Sequence, residues 1–122
     1  MSTVHNAIVE FCGQHSLNDD ILFTLDLCLE ELITNIIKYA HEDRGKHLIH
    51  ITLEKTENEV LLEIRDNGRP FDPTATAEPD LDVPLEERKI GGLGLHLIRN
   101  YVTSMEYTRE GGQNITTLKK KL

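Results

Sequence analysis

The first forty residues carry apolar side chains at the spacing of amphipathic helices. Val4 to Phe11 forms one such segment, and Ser16-Leu-Asn-Asp supplies polar side chains of the kind that begin a helix. The second helix is expected to run from this signal to about Ala40. Its buried stripe consists of Leu22, Leu25, Leu29, Leu32 and Ile36. The pattern therefore predicts two leading helices.

The next segments alternate apolar and polar residues with the period of half-buried strands. Apolar residues stand at every second position from Ile49 to Leu53 and from Val60 to Ile64, and Thr56-Glu-Asn-Glu between them has the composition of a turn. Met105 to Arg109 and Ile115 to Lys121 repeat the arrangement around two glycines. The alternation predicts two antiparallel hairpins.

The stretch from Asn67 to Gly92 separates the hairpins and holds all four prolines and many acidic residues. It is too irregular for a helix and too long for an ordinary connection, which favours a functional lid; a solvated acidic loop is the plainer alternative. A helix is expected to begin near Gly94. Its apolar positions are Leu95, Ile98 and Val102.

This order of elements, with helices before the first hairpin and one helix before the second, predicts an α+β fold. A chain of 122 residues with 39% hydrophobic residues suits one small core and leaves no room for a second. We therefore expect residues 1–122 to form a single domain.

Charge and cysteine content limit the partners and the compartment. The net charge of -8, from 21 acidic and 13 basic residues, argues against nucleic acid or an anionic membrane as partner. No apolar run approaches the roughly 20 residues of a membrane span, and the N-terminus lacks the pattern of a secretory signal. Cys12 and Cys28 are too few and too far apart for a zinc site or a disulfide framework, so we expect buried thiols in a reduced, cytoplasmic protein.

Three polar residues of the second helix, Glu31, Asn35 and Lys38, lie on a stripe about 100° around from its buried side. For a single Glu or Lys, a solvated helix surface is the usual explanation. Asn35 is harder to explain in this way, because it lies among Ile36 and Tyr39, where an amide needs partners to offset its desolvation. A ligand or a metal ion is a candidate partner.

A carboxylate is expected to face the core at the end of the second strand. In EIRDNGRPFDP, residues 63–73, Asp66 continues the alternation of Val60, Leu62 and Ile64. An inward carboxylate needs donors, which a ligand can supply. The chain itself can also supply them, because Asp-Asn-Gly is a common turn in which the aspartate accepts from the amides that follow. The sequence leaves both interpretations open.

Glycines precede the third helix in GGLGLHLIRN, residues 91–100. Glycine lets a backbone approach a ligand closely, and the first turn of a helix offers free N–H groups and a positive dipole end to phosphate. A glycine cluster before a helix is a weak signal alone. It also differs from the dinucleotide and P-loop patterns, since no strand runs directly into it and no lysine follows the glycines.

Together these segments resemble a known set of motifs. E-x-x-x-N on a helix, D-x-G-x-x-F after a strand and G-G-L-G-L opening a helix resemble the N, G1 and G2 boxes of the GHKL ATPase/kinase superfamily, over about residues 18–122. The short lid and the ending GGQNITTLKKKL are most similar to the anti-sigma factor kinases, the serine/threonine kinases of bacterial partner switching. The resemblance implies the Bergerat ATP-binding fold, a two-layer sandwich with helices on one face of a mixed, mainly antiparallel sheet.

The resemblance also implies roles for individual residues. Glu31 would be the general base for a serine hydroxyl, Asn35 would ligate Mg²⁺, and Lys38 would meet phosphate. Asp66 would accept a hydrogen bond from the adenine amino group, and Thr117 would help at the base through a water. The glycines and first amides of the third helix would cradle phosphates. The implied ATP-binding set is Asn35, Lys38, Asp66, Gly68, Phe71, Gly92, Leu93, Gly94, Leu95, His96 and Thr117.

The implied cofactors are ATP and Mg²⁺, and the implied partners are an anti-sigma factor antagonist of the STAS type, a sigma factor and a second copy of the chain. A non-catalytic ATP-binding module that sequesters a regulatory partner is the main alternative, and an ATPase that uses water is a third. Two departures from the family pattern suit the non-catalytic module. Ile90 stands where many relatives have glycine, and the chain starts at its first helix without the common edge strand.

Overall fold

The computed structural model describes residues 2–40, 48–75, 95 and 97–122 of the chain. Two helices come first, as predicted. Asn18 caps the second helix, because its Oδ1 accepts a 3.0 Å hydrogen bond from the Ile21 N–H. The helical elements are α1, Ser2–Gln14; α2, Asp19–Asn35; a π-helix that continues α2, Ile36–Ala40; and a 3₁₀ turn, Pro73–Ala75.

Both predicted hairpins are present and join into one four-stranded sheet. The strands are β1, Ile49–Lys55; β2, Glu59–Asp66; β3, Ser104–Glu110; and β4, Gln113–Lys121. Their order across the sheet is β1-β2-β4-β3, and each described pair of neighbours is antiparallel. Gly111 and Gly112 make the tight turn between β3 and β4, where φ is 59° and 76°, a region that glycine adopts without steric cost.

The core lies between the helices and one face of the sheet. The residues of β2 that face the helices, Val60, Leu62 and Ile64, are each 1% exposed, and Leu29 and Leu32 of α2 belong to the same apolar cluster. Burying these side chains removes apolar surface from water, which is the main force that holds the two layers together. The predicted α+β architecture, with helices on one sheet face, is confirmed.

The third helix ends earlier than its apolar spacing predicts. Leu95, Leu97 and Ile98 are helical, but the Tyr101 N–H donates to the carbonyl oxygen of Ile98, three residues back, and the helix ends. Two residues later the Thr103 N–H bonds the carbonyl oxygen of Lys119 on β4 at 2.7 Å, so the chain must already be extended there. Val102 still packs against the core, from a bend and not from a helix.

Both cysteines are free and buried, as predicted. Burial raises the pKa of the Cys28 thiol to about 12, although the charge of Lys120 acts in the opposite direction, and burial also raises the pKa of Cys12. These thiols therefore stay protonated and unreactive at neutral pH. Within the described residues, the helices are all too short or too polar to cross a membrane.

Candidate functional site

Asn35 ends α2 as a buried amide, with 2% of its surface exposed. Its Nδ2 donates a 2.7 Å hydrogen bond to the carbonyl oxygen of Glu31, one turn earlier. Its Oδ1 is buried and has no hydrogen-bond partner within the described part of the chain. An unsatisfied buried acceptor costs about 1–3 kcal/mol, so this oxygen is placed as a ligand atom would be.

The other two residues of the predicted stripe lie close to Asn35 in the chain. The Glu31 side chain is half-buried one turn before it, and Lys38 is exposed in the π-helix that follows it. The backbone changes from α to π geometry directly after Asn35, and short π segments are frequent at functional sites. The predicted polar stripe therefore places a carboxylate, a buried amide oxygen and an ammonium group within two turns of helix.

Asp66 is the last residue of β2, with 2% of its surface exposed. Its Oδ1 accepts hydrogen bonds from the Gly68 N–H at 2.9 Å and from Asn114 Nδ2 at 3.1 Å. The first bond is the Asp-Asn-Gly turn that the sequence allowed, and the carboxylate also faces inward as predicted. The two interpretations of this motif are thus compatible.

Asn114 of β4 is the main residue of this site that the sequence did not reveal. It is 2% exposed and stands directly opposite Asp66 in the β2–β4 pairing. Its Nδ2 donates to Asp66 Oδ1 and, at 2.8 Å, to the carbonyl oxygen of Arg69. Its Oδ1 accepts from the Tyr107 hydroxyl, from Arg109 Nη1 at 3.1 Å and from the Phe71 N–H at 3.3 Å.

The segment after Asp66 is held by the β3–β4 hairpin at several points. The carbonyl oxygen of Gly68 accepts a 2.7 Å hydrogen bond from Arg109 Nη1, and Asn114 bonds the backbone of Arg69 and Phe71. The half-buried Phe71 also packs against the core. The loop of the D-x-G-x-x-F motif is therefore held in place, because the Gly68 and Arg69 carbonyl oxygens and the Phe71 N–H are bonded to the β3–β4 hairpin.

Thr117 and Asp66 lie on opposite faces of the sheet. The strand register pairs Thr117 with Glu63 of β2 and Glu106 of β3. Because successive side chains of a strand point to opposite faces, Thr117 lies on the face turned away from the helices, whereas Asp66 and Asn114 lie on the helix-covered face. Asn114 occupies the place beside Asp66 that the resemblance gave to Thr117.

Most of the predicted phosphate-binding residues lie outside the described residues: Gly92, Leu93, Gly94 and His96. Leu95 is described, with a helical backbone and a side chain only 1% exposed in the core. Its contribution to a phosphate site is accordingly restricted to its backbone.

Arg99, in the turn after the third helix, bonds a segment of the predicted lid. Its Nη2 donates to the carbonyl oxygens of Pro73, at 3.1 Å, and Thr74. Asp72 stabilises the same 3₁₀ turn, because its Oδ1 accepts from the backbone N–H and the hydroxyl of Thr74 at 2.8 and 2.6 Å. This link could not be predicted from local sequence patterns, since the partners of Arg99 are carbonyl groups about 25 residues away.

The residues present fit a magnesium nucleotide. Mg²⁺ takes oxygen ligands and usually keeps several waters. Asn35 Oδ1 offers one buried oxygen that no group in residues 2–40, 48–75, 95 and 97–122 bonds. The described residues hold no group of three His, Cys, Asp or Glu side chains suited to a metal. A cation beside Asn35 would therefore need phosphate oxygens and waters to complete its coordination.

Comparison with known proteins gives the family. A family model for the histidine kinase-like ATPase domain matches residues 1–120. The chain is 41% identical over 96 residues to the serine/threonine-protein kinase BtrW of Bordetella bronchiseptica, and the matched region covers 79% of this chain and 68% of BtrW. It is 29% identical over 98 residues to the serine-protein kinase RsbW of Staphylococcus aureus, and the matched region covers 76% of this chain and 62% of RsbW.

Solved structures agree on the fold. The histidine kinase domain of the Erythrobacter litoralis EL346 blue-light activated histidine kinase superposes with a TM-score of 0.64 at 16% identity, covering 99% of this chain and 58% of that chain. The Acinetobacter baumannii histidine kinase AdeS gives a TM-score of 0.55 at 26% identity, covering 82% and 46%. This chain thus spans about half the length of those kinase chains. By the extent of the family match and the identity to BtrW, the chain belongs to the histidine kinase-like ATPase domain family.

Proposed function

We propose that the chain is an ATP-dependent serine/threonine kinase of the anti-sigma factor type, which phosphorylates an anti-sigma factor antagonist and so controls the availability of a sigma factor. The observation that carries the proposal is the buried Asn35 Oδ1, which has no hydrogen-bond partner among the described residues and lies one helical turn from the half-buried Glu31. The names of BtrW and RsbW support it, since both are serine or serine/threonine kinases.

Two residues at the end of α2 would act on the metal and the phosphates. Asn35 Oδ1 would ligate Mg²⁺, and the Lys38 ammonium, exposed in the π-helix, would attract phosphate oxygens. The bound cation would neutralise charge on the phosphates. Local neutralisation of this kind is needed, because a chain with a net charge of -8 otherwise repels ATP.

Asp66 would recognise the base at the other end of the site. A carboxylate accepts hydrogen bonds and cannot donate them when ionised, so it suits the amino group of adenine and opposes the carbonyl oxygen of guanine. Asp66 is 2% exposed, and in such a desolvated position a mismatched base would leave polar groups without partners.

Glu31 would act as the general base of the transfer. Its carboxylate would accept the proton of the serine or threonine hydroxyl as the hydroxyl oxygen bonds to the γ-phosphorus. The bond between that phosphorus and the β,γ-bridging oxygen breaks, and ADP leaves with the bonding electron pair. Most of the rate acceleration would come from positioning and charge neutralisation, as in other phosphoryl transfers.

The proposal is tested by incubating the protein with Mg²⁺ and labelled ATP, together with candidate antagonists. Transfer of label to a serine or threonine of an antagonist is the expected result. If ATP binds and no antagonist is labelled, while an antagonist or a sigma factor still co-purifies, the protein is a non-catalytic ATP-binding module. If neither ATP nor GTP binds, the nucleotide site itself is refuted.

A further inference from the structure

The hydrogen bonds of Asn114 fix the orientation of its side-chain amide. Arg109 Nη1 and the Phe71 N–H can only donate, so the amide oxygen must face them. The carbonyl oxygen of Arg69 can only accept, and so can an ionised Asp66, so the NH₂ group must face these two oxygens. A flipped amide would place donors against donors and acceptors against acceptors. Asn114 is therefore held in one orientation.

We propose that Asn114 is a positioning residue that sets the base selectivity of the nucleotide site, by fixing the direction of the Asp66 carboxylate. This inference rests on the proposed function, in which Asp66 recognises adenine. Asp66 Oδ1 is held between two donors, Gly68 N–H at 2.9 Å and Asn114 Nδ2 at 3.1 Å, and both are part of the folded chain. The plane of the carboxylate is thereby set before any ligand binds.

A fixed carboxylate direction matters because both purines offer donors to an aspartate. Adenine presents its 6-amino group, whereas guanine presents its N1–H and its 2-amino group at other positions along the same Watson–Crick edge. A carboxylate that can turn about its side-chain torsion is able to meet either base, and a fixed one selects the base whose donor lies in its direction. Selectivity then depends on the residue that fixes the carboxylate as well as on Asp66 itself.

The β3 strand supports this arrangement by bonding the amide oxygen of Asn114, while the amide nitrogen of Asn114 bonds Asp66. Tyr107 and Arg109 of β3 both donate to Asn114 Oδ1, and Arg109 also bonds the carbonyl oxygen of Gly68 at 2.7 Å. The hairpin therefore holds both the residue that orients Asp66 and the loop that follows it.

The test measures dissociation constants for ATP and GTP, with Mg²⁺, on wild type, Asn114→Leu and Asn114→Asp. Asn114→Leu keeps the approximate volume and removes the donor, so the preference for ATP over GTP should fall at least tenfold. The control is Thr116→Val, which removes a buried hydroxyl from the same strand face, two residues from Asn114. Its preference for ATP should equal that of the wild type.

Asn114→Asp gives a second measurement that a purely structural role would not produce. When protonated, the new carboxyl group donates to Asp66 as the amide did, and when both groups are ionised they repel each other. Arg109, which faces the same side chain, favours the ionised form of the new carboxyl group, and the Asp66 carboxylate opposes it. The ATP preference of this variant should therefore be higher at pH 5.5 than at pH 8.5. Wild type should show no such change, because ATP and GTP carry the same titrating triphosphate.

The outcomes separate the inference from the function on which it rests. A wild type that binds GTP as well as ATP refutes the assignment of Asp66 to adenine. A selective wild type whose selectivity survives in folded Asn114→Leu, and whose Asn114→Asp variant is equally selective at both pH values, refutes the role of Asn114. If Asn114→Leu does not fold, the comparison of Asn114→Asp at the two pH values decides the question.

Discussion

Asn35 donates from its amide nitrogen to the carbonyl oxygen of Glu31, 2.7 Å away, so its amide oxygen is the atom that has no partner in the part of the chain that the structure describes. The α-helix ends at Asn35, and the π-helix that follows begins at Ile36. The unpartnered oxygen thus stands where the helix changes geometry. The proposed function gives this oxygen the role of a Mg²⁺ ligand, which leads to the first prediction.

Asn35→Ala should remove the magnesium dependence of ATP binding and leave the fold intact. The variant loses one hydrogen bond, worth about 1 kcal/mol, and also loses a buried acceptor that costs about 1–3 kcal/mol when unsatisfied. These terms oppose each other, so the melting temperature without ligand should change little. Calorimetry with ATP in Mg²⁺ and in EDTA measures the effect. Thr34→Ala, at the exposed neighbouring position, is the control.

A large fall in the ligand-free melting temperature of Asn35→Ala, with the magnesium dependence of binding unchanged, would show that Asn35 serves the helix and not the metal. In that case the unpartnered oxygen would carry no functional meaning.

Cys28 should make the protein less stable at alkaline pH. Its folded pKa is about 12 against an ordinary 9.0, so the unfolded thiol ionises first as the pH rises. The contribution of the Cys28 thiol to the free energy of unfolding is fully present below pH 9. It is lost between pH 9 and 12, because in this range the unfolded state binds fewer protons than the folded state. The free energy of unfolding should fall by roughly 1 kcal/mol per pH unit in this window.

Urea unfolding of wild type and Cys28→Ala, followed from pH 8 to pH 11, measures this contribution. The stability difference between the two proteins should shrink as the pH rises, and thiol reagents should leave Cys28 unmodified in the folded protein at pH 8. A stability difference that stays constant with pH would contradict the prediction.

Arg99→Ala should loosen the 3₁₀ turn Pro73–Ala75, which lies within the predicted lid. Arg99 Nη2 bonds the carbonyl oxygens of Pro73 and Thr74, and the Ala75 N–H bonds the carbonyl oxygen of Asp72 at 3.2 Å. Loss of a charged hydrogen bond at a half-buried site costs about 1.5 kcal/mol, so the Ala75 amide should exchange its hydrogen about tenfold faster. Arg65→Ala, on the outer sheet face, should leave that exchange rate unchanged.

Much of the fold follows from patterns that are local in the sequence. The helical stripe of α2 and the period-two alternation of the strands each depend on residues a few positions apart, so both could be found without tertiary information. The proximity of Glu31 and Asn35 could be predicted for the same reason, because one helical turn separates them. The inward direction of Asp66 could be predicted because the alternation of β2 extends to the end of the strand.

The missed features depend on pairing between distant segments. Asn114 functions through its position opposite Asp66, which is set by the register of β4, and a shift of one residue decides which face a side chain occupies. Thr117 was assigned to the site without that register and lies on the other face. The end of the third helix was missed because a hydrogen bond from Thr103 to β4 draws the chain out of helical geometry.

Glu31→Gln should abolish most of the phosphoryl transfer and leave ATP binding nearly unchanged. The substitution keeps the size of the half-buried side chain and removes its ability to accept a proton. Loss of a positioned general base lowers the rate on the order of 10²- to 10⁴-fold. ATP affinity should not change, because the proposed contacts to Mg²⁺ and to adenine belong to Asn35 and Asp66. Binding and chemistry should therefore separate at one residue.

The measurement is the initial rate of label transfer from ATP to an antagonist at saturating ATP, together with the dissociation constant for ATP. Glu30→Gln is a matched control, because it makes the same change at the exposed neighbouring position of α2. A rate loss in Glu31→Gln alone, at constant ATP affinity, identifies Glu31 as the base. Equal rates in both variants would remove Glu31 from the mechanism, and transfer would then have to proceed by positioning and charge neutralisation without a protein base.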